Sequence, residues 1–118
     1  MHKLSEEIDI ALLKNQTVSH ISFGINYILL SLDASSIQFS GPFTFKTEEK
    51  EYEREEVFPV KSDFGLLSLL EKRIESVYCN QERTSLTIQF DGNLLLLLKS
   101  NQMYECFELY IAGNRAIV

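Results

Sequence analysis

The chain reads as an α+β protein, two helices packed on a largely antiparallel sheet. Three observations lead there. Two leucine-rich stretches carry apolar residues at helical spacing. Short runs of alternating apolar and polar residues, bounded by turn residues, lie between and after them. These strands come in runs instead of alternating with helices, which argues against the parallel pairing of βαβ units. With 118 residues, 45% of them hydrophobic, the chain fits a single domain, residues 1–118, able to build a core without a metal or a disulfide.

The first helix is expected over residues 4–14, where Leu4, Ile8, Leu12 and Leu13 share a face and Ser5, Glu6 and Glu7 occupy the first turn, favourable for acids. Residues 18–23 alternate as a half-buried strand with Ile21 and Phe23 on one face. After a turn at residues 24–26, residues 27–32 are apolar on both faces and read as a central strand. Asp33-Ala34-Ser35 turns the chain. Ile37, Phe39, Phe43 and Phe45 then alternate with polar residues around a break at Gly41-Pro42. Residues 48–56 carry six Glu, one Lys and one Arg with no apolar period, which is either a solvated loop or a strand edge guarded by charge. Asp63 is a plausible N-cap for a second helix over residues 64–73, with Leu66, Leu67, Leu69 and Leu70 on its buried face. Strands follow at 74–80 and 86–90. The latter ends in Asp91-Gly92, a short-range hairpin signal. Residues 94–98 pair back, buried on both faces. Residues 104–111 form the last long strand, Gly113-Asn114 turns, and residues 116–118 add a short terminal strand.

The two halves share this order. At an offset of 58, Leu12 aligns with Leu70, Ile28 with Leu86, Leu30 with Ile88, Leu32 with Phe90, and Asp33 with Asp91. Ile37 and Phe39 then align with Leu95 and Leu97. Two helix-plus-three-strand half-repeats around a common core would produce this pattern. Chance similarity between two amphipathic stretches would produce it too.

Composition narrows function by exclusion. The net charge is −6 and the pI about 4.9, with no basic run, so direct nucleic-acid binding and attraction to anionic membranes are disfavoured. The opening residues interrupt any signal-like apolar core with acids, and the longest purely apolar run, residues 94–98, is far short of a membrane span. The expected location is the cytoplasm. Two cysteines, Cys79 and Cys106, fit a reducing compartment.

No residue set suggests catalysis, a cofactor or a metal. His20 lies on a strand face opposite Ile21 and Phe23, and His2 lies near the terminus; neither has a visible orienting partner. The cysteines sit among bulky residues without a Cys-x-x-Cys pair, as buried apolar side chains do. The five glycines are scattered, so no phosphate loop forms. Tyr104, Glu105, Phe107, Glu108 and Tyr110 make a polar and aromatic pattern that an edge strand would also give. The feature that rises above background is the acidic stretch: Glu48, Glu49, Glu51, Tyr52, Glu53, Glu55 and Glu56. It reads as a docking surface for a basic protein, or as a solubilising loop.

The run Leu86-Thr87-Ile88-Gln89-Phe90-Asp91-Gly92-Asn93-Leu94, followed by Tyr104-Glu105-Cys106-Phe107-Glu108-Leu109, resembles small bacterial domains that recur beside polymorphic toxin genes. On these residues, about the last third of the chain, the protein is similar to immunity proteins of contact-dependent growth inhibition and related toxin systems. The resemblance implies a small cytoplasmic protein, not an enzyme, that binds one cognate toxin and blocks its active site or substrate path. Toxic nucleases tend to be basic, and an acidic inhibitor gains on-rate from electrostatic steering. The rival expectations are a self-associating structural or adaptor module, such as a homodimer through an edge strand, and a small enzyme or ligand-binding protein with a pocket between the half-units.

Overall fold

Period-two burial runs through most of this chain. The computed structural model describes residues 3–6, 8–101, 104–111 and 114–118. Its strands are β1 (His20–Phe23), β2 (Ile28–Ser31), β3 (Ser35–Phe39), β4 (Phe43–Lys46), β5 (Glu51–Arg54), β6 (Ile74–Cys79), β7 (Ser85–Phe90), β8 (Leu94–Lys99), β9 (Phe107–Ile111) and β10 (Asn114–Ile117). They form two five-stranded antiparallel sheets, ordered β1-β2-β3-β9-β10 and β5-β4-β8-β7-β6.

The α+β expectation is overturned: the protein is mostly β. Each predicted helix shrinks to one four-residue 3-10 turn, Ile10–Leu13 and Leu66–Leu69. In the first, the Asp9 carboxylate accepts the Ala11 N–H at 3.0 Å, and Asn15, at φ 73°, ends the turn. The preceding backbone bonds elsewhere. Leu4 N–H donates to Arg83 O at 2.7 Å, and Arg83 Nε returns to Leu4 O at 2.8 Å. Leu13 is buried, while Leu12 faces solvent. Glu7 lies outside the described residues. In the second, Phe64 and Gly65 enter at positive φ and Glu71 leaves at φ 69°, so only one turn fits between them. Leu66 and Leu69 face inward and Leu67 and Leu70 outward, as three residues per turn requires. Asp63 accepts the Gly65 N–H at 3.3 Å, but the capping residue is Gly65. Helices this short have little stability of their own, so tertiary contacts decide.

Nor do the halves form helix-plus-three-strand units. Each half contributes a 3-10 turn, a three-strand meander and a hairpin, and the hairpins are exchanged. The meander β1-β2-β3 is extended by β9-β10 from the second half, and β6-β7-β8 by β4-β5 from the first. The halves also meet before β1 and β6. There Thr17 bridges Arg73, Val18 N–H donates to Lys72 O, and Ile74 N–H donates to Gln16 O, both at 2.9 Å.

The alignment at 58 slips after the first hairpin. Leu32 N–H closes on Ser35 O across a two-residue turn, whereas Phe90 pairs with Leu94 across a three-residue turn in which Gly92 and Asn93 have positive φ. One extra residue flips every side chain to the other face. Ile37 and Phe39 therefore correspond to the buried Leu96 and Leu98, while Leu95 and Leu97 are half-buried on the outer face. Residues 94–98 are thus buried on one face, not both.

The inward faces of both sheets belong to one apolar cluster. Gly41-Pro42 is where the chain passes from the first sheet to the second. A Cβ on Gly41 would land on the Cys106 side chain, with the Cys106 Cα 3.0 Å away, so only glycine fits this corner. On either side of it Phe39 and Phe43 pack edge to face at 5.3 Å, and Phe43 packs on Phe64 at 5.5 Å. At the chain's end Asn114 opens β10, and Gly113 lies outside the described residues. Among the described residues no helix is long and apolar enough to cross a membrane.

Candidate functional site

The acidic stretch becomes an edge strand and its flanks, the guarded edge among the two sequence expectations. β5 is held to β4 through Phe43↔Arg54, Thr44↔Glu53, Phe45↔Tyr52 and Lys46↔Glu51, and among the described residues no strand pairs with its other side. One side of β5 looks inward. Tyr52 is half-buried and stacks on Phe45 at 6.5 Å, and the Arg54 guanidinium lies over Phe64 at 5.3 Å. Tyr52 thus packs against the core instead of standing free with the acids. Glu51 and Glu53 project from the outer face.

The six Glu occupy three neighbouring places. Glu48 and Glu49 sit at the β4–β5 turn, which the Thr47 hydroxyl closes by accepting the Glu49 and Lys50 N–H groups at 3.2 and 3.0 Å. Glu48 also accepts from the Asn93 amide at 2.6 Å. Glu51 pairs with Lys46 at 3.2 Å, both exposed, a contact worth little in water. Glu53 and Glu55 line a shallow groove with Lys99, Ser100 and Asn101. Glu56 lines a second groove with Asn26, Ser40, Phe58 and Tyr104. Among the described residues Glu48, Glu49, Glu53, Glu55 and Glu56 form no ion pair. All six are exposed. The unpaired edge N–H and C=O groups are thereby flanked by negative charge, which deters other strands and attracts cations.

The other residues considered from sequence do not converge on this edge. His20 is exposed and its Nε2 lies 2.8 Å from the Ser22 hydroxyl. His2 lies outside the described residues. Glu108 and Tyr110 lie on β9, an interior strand of the first sheet, and Glu108 pairs with Arg115 at 2.7 Å. Among the described residues no three His, Cys, Asp or Glu side chains gather as a metal site. Sequence reading placed Tyr104 in a strand over 104–111, but β9 begins only at Phe107, and Tyr104 instead lines a groove with Phe58, which carried no periodic signal.

Cys79 is half-buried with the Arg83 guanidinium 3.5 Å from its sulfur, and Cys106 is buried. Burial pushes the Cys106 thiol up from its ordinary value of 9.0, against a smaller lowering by the Asn101 N–H. The fold therefore holds the neutral thiol. That contribution to stability is present below 9.0 and is lost as pH rises through the raised folded value. Cys106 should resist alkylation by iodoacetamide in the native protein at pH 8 and react fully in urea. Mass spectrometry showing equal native and denatured labelling of Cys106 would refute its burial.

No family model matches the chain, and no curated protein or solved structure matches it significantly.

Proposed function

We propose that this chain is an immunity protein of a bacterial polymorphic toxin system. It acts in the cytoplasm by binding one basic toxin domain at one-to-one stoichiometry and covering its active site or substrate path. The observation that carries this reading is the exposed acidic edge at β5. Among the described residues five of its six Glu, all but Glu51, lack an ion-pair partner. A cationic partner satisfies these charges and is steered to them, and a toxin built to hold phosphate backbones meets a surface of similar charge. The resemblance at residues 86–94 and 104–109 concerns β7, the β7–β8 turn and β9, which are framework, so partner choice falls to the acidic β5 edge.

A tagged pull-down from the native cells, eluted along a salt gradient and identified by mass spectrometry, tests the reading. A basic polypeptide retained at equal stoichiometry and released by salt is the expected result. Replacing Glu48, Glu49, Glu51, Glu53, Glu55 and Glu56 together by Gln should leave the fold intact. Association should slow about 10- to 100-fold at low salt, and the difference should shrink as salt rises. Undiminished association and protection by the six-fold variant would rule out the acidic edge. Recovery of the protein alone would point to the edge-strand homodimer.

A further inference from the structure

We infer that the groove between Phe58 and Tyr104 receives an arginine side chain of the basic partner, an inference that rests on the reading just proposed. The groove is assembled where four chain segments are tied together by their backbones. Ser40 N–H donates to Cys106 O at 2.8 Å, Val57 N–H to Ser40 O at 3.0 Å, and Val60 N–H to Ile25 O at 2.8 Å. The Ser40 hydroxyl adds a bond to Glu105 O at 3.4 Å. Residues 56–60 are thus clamped at both ends, and the pocket exists before any partner arrives, which lowers the ordering cost of binding.

Its cavity volume is about 320 Å³, enough for one long side chain, and its lining is Asn26, Ser40, Glu56, Phe58 and Tyr104. Phe58 is 48% and Tyr104 38% exposed, large aromatic surface for residues outside the core, and Ile25 beside them is 66% exposed. This chemistry selects one occupant. Among the described residues no cation lines the groove. Arg54, close in sequence, is committed to the Phe64 ring and to Phe58 O at 3.4 Å. An anion would meet the Glu56 carboxylate, and a purely apolar side chain would strip that carboxylate of water without replacing its bonds. A guanidinium satisfies both parts of the lining. Its planar face stacks on aromatic rings, and its edge donates to a carboxylate, an amide oxygen and a hydroxyl. A lysine ammonium is more strongly hydrated and stacks less well. Arginine and tyrosine are also the residues that most often dominate binding energy at interfaces.

The test uses N-acetyl-arginine methylamide as probe, with the citrulline analogue as uncharged control, in ¹H–¹⁵N NMR titrations of the intact chain. The expected result is saturable shifts at Asn26, Ser40, Glu56, Phe58 and Tyr104 with a Kd on the order of 1 mM, and none from citrulline. Glu56→Gln, and separately Phe58→Ala, should weaken binding about tenfold; both side chains are exposed, so the fold should survive. Equal shifts from citrulline, or shifts confined to residues 48–53, would overturn the inference. The same variants in the pull-down separate the two ideas. Arginine binding in the groove with no basic polypeptide captured sinks the toxin reading and keeps the site. Full capture by Phe58→Ala, with arginine ignored by the wild type, sinks the site and keeps the reading.

Discussion

Phe43→Ala should cost about 3–5 kcal/mol and lower the melting temperature by about 10–20 °C, read by circular dichroism. Phe43 opens β4 directly after the chain has crossed between sheets. It is 1% exposed and packs on Phe39 from the first sheet and Phe64 from the segment before the second 3-10 turn. Truncation therefore removes an aromatic side chain at the seam of three elements. Its neighbours cannot collapse inward, because Leu98 and Arg54 are fixed across from it by strand pairing. A domain of this size has about 5–15 kcal/mol of net stability, so one such loss brings it near its limit. Phe58→Ala is the matched control. The ring is as large but nearly half exposed, and its loss should shift the transition by only a few degrees. A Phe43→Ala melt as close to wild type as the Phe58→Ala melt would mean that the seam is not where the core's stability resides.

Strand positions were legible in the sequence because period-two burial is a local property. Ile21, Ile37 and Phe39, and Leu86, Ile88 and Phe90 point inward as their alternation implies, whereas Phe23, expected on the same face as Ile21, is exposed at the end of β1. The helices were misread because Leu66, Leu67, Leu69 and Leu70 satisfy a 3.6-residue period and a three-residue period equally over one turn. What decides between them is the positive φ at Phe64, Gly65 and Glu71, which spacing does not encode. The first stretch fails differently. Leu4 is buried because its backbone bonds to Arg83, a partner from the other half of the chain. The acidic run at 48–56 was visible as composition, yet its division into turn, outer face and groove lip depends on the register with β4. Tyr52 shows the limit most clearly. Its neighbours suggest a surface, but the Phe45↔Tyr52 pairing turns its ring inward.

Cutting the chain between Lys61 and Ser62, both exposed, should yield two fragments that lack a cooperative melt alone and regain it when mixed at equal concentration. The reason is the exchange of hairpins. In residues 1–61 the meander β1-β2-β3 has no β9 for its β3 edge, and the β4-β5 hairpin has no β8. Residues 62–118 have the reciprocal gaps. Each piece also exposes the inner face that the other covers, including Leu30, Ile37 and Phe45 on one side and Leu86, Ile88 and Leu96 on the other. A piece of about 60 residues buries too little surface to fold readily even with its strands fully paired, and these are half paired. Mixing restores both sheets and the shared core at once, so folding and association should appear as a single concentration-dependent transition. Light scattering identifies the alternative, in which one fragment pairs with itself. A lone fragment that melts cooperatively as a monomer would show that each half can close its own sheet, and hairpin exchange would then be a detail of topology without being the source of the fold's cooperativity.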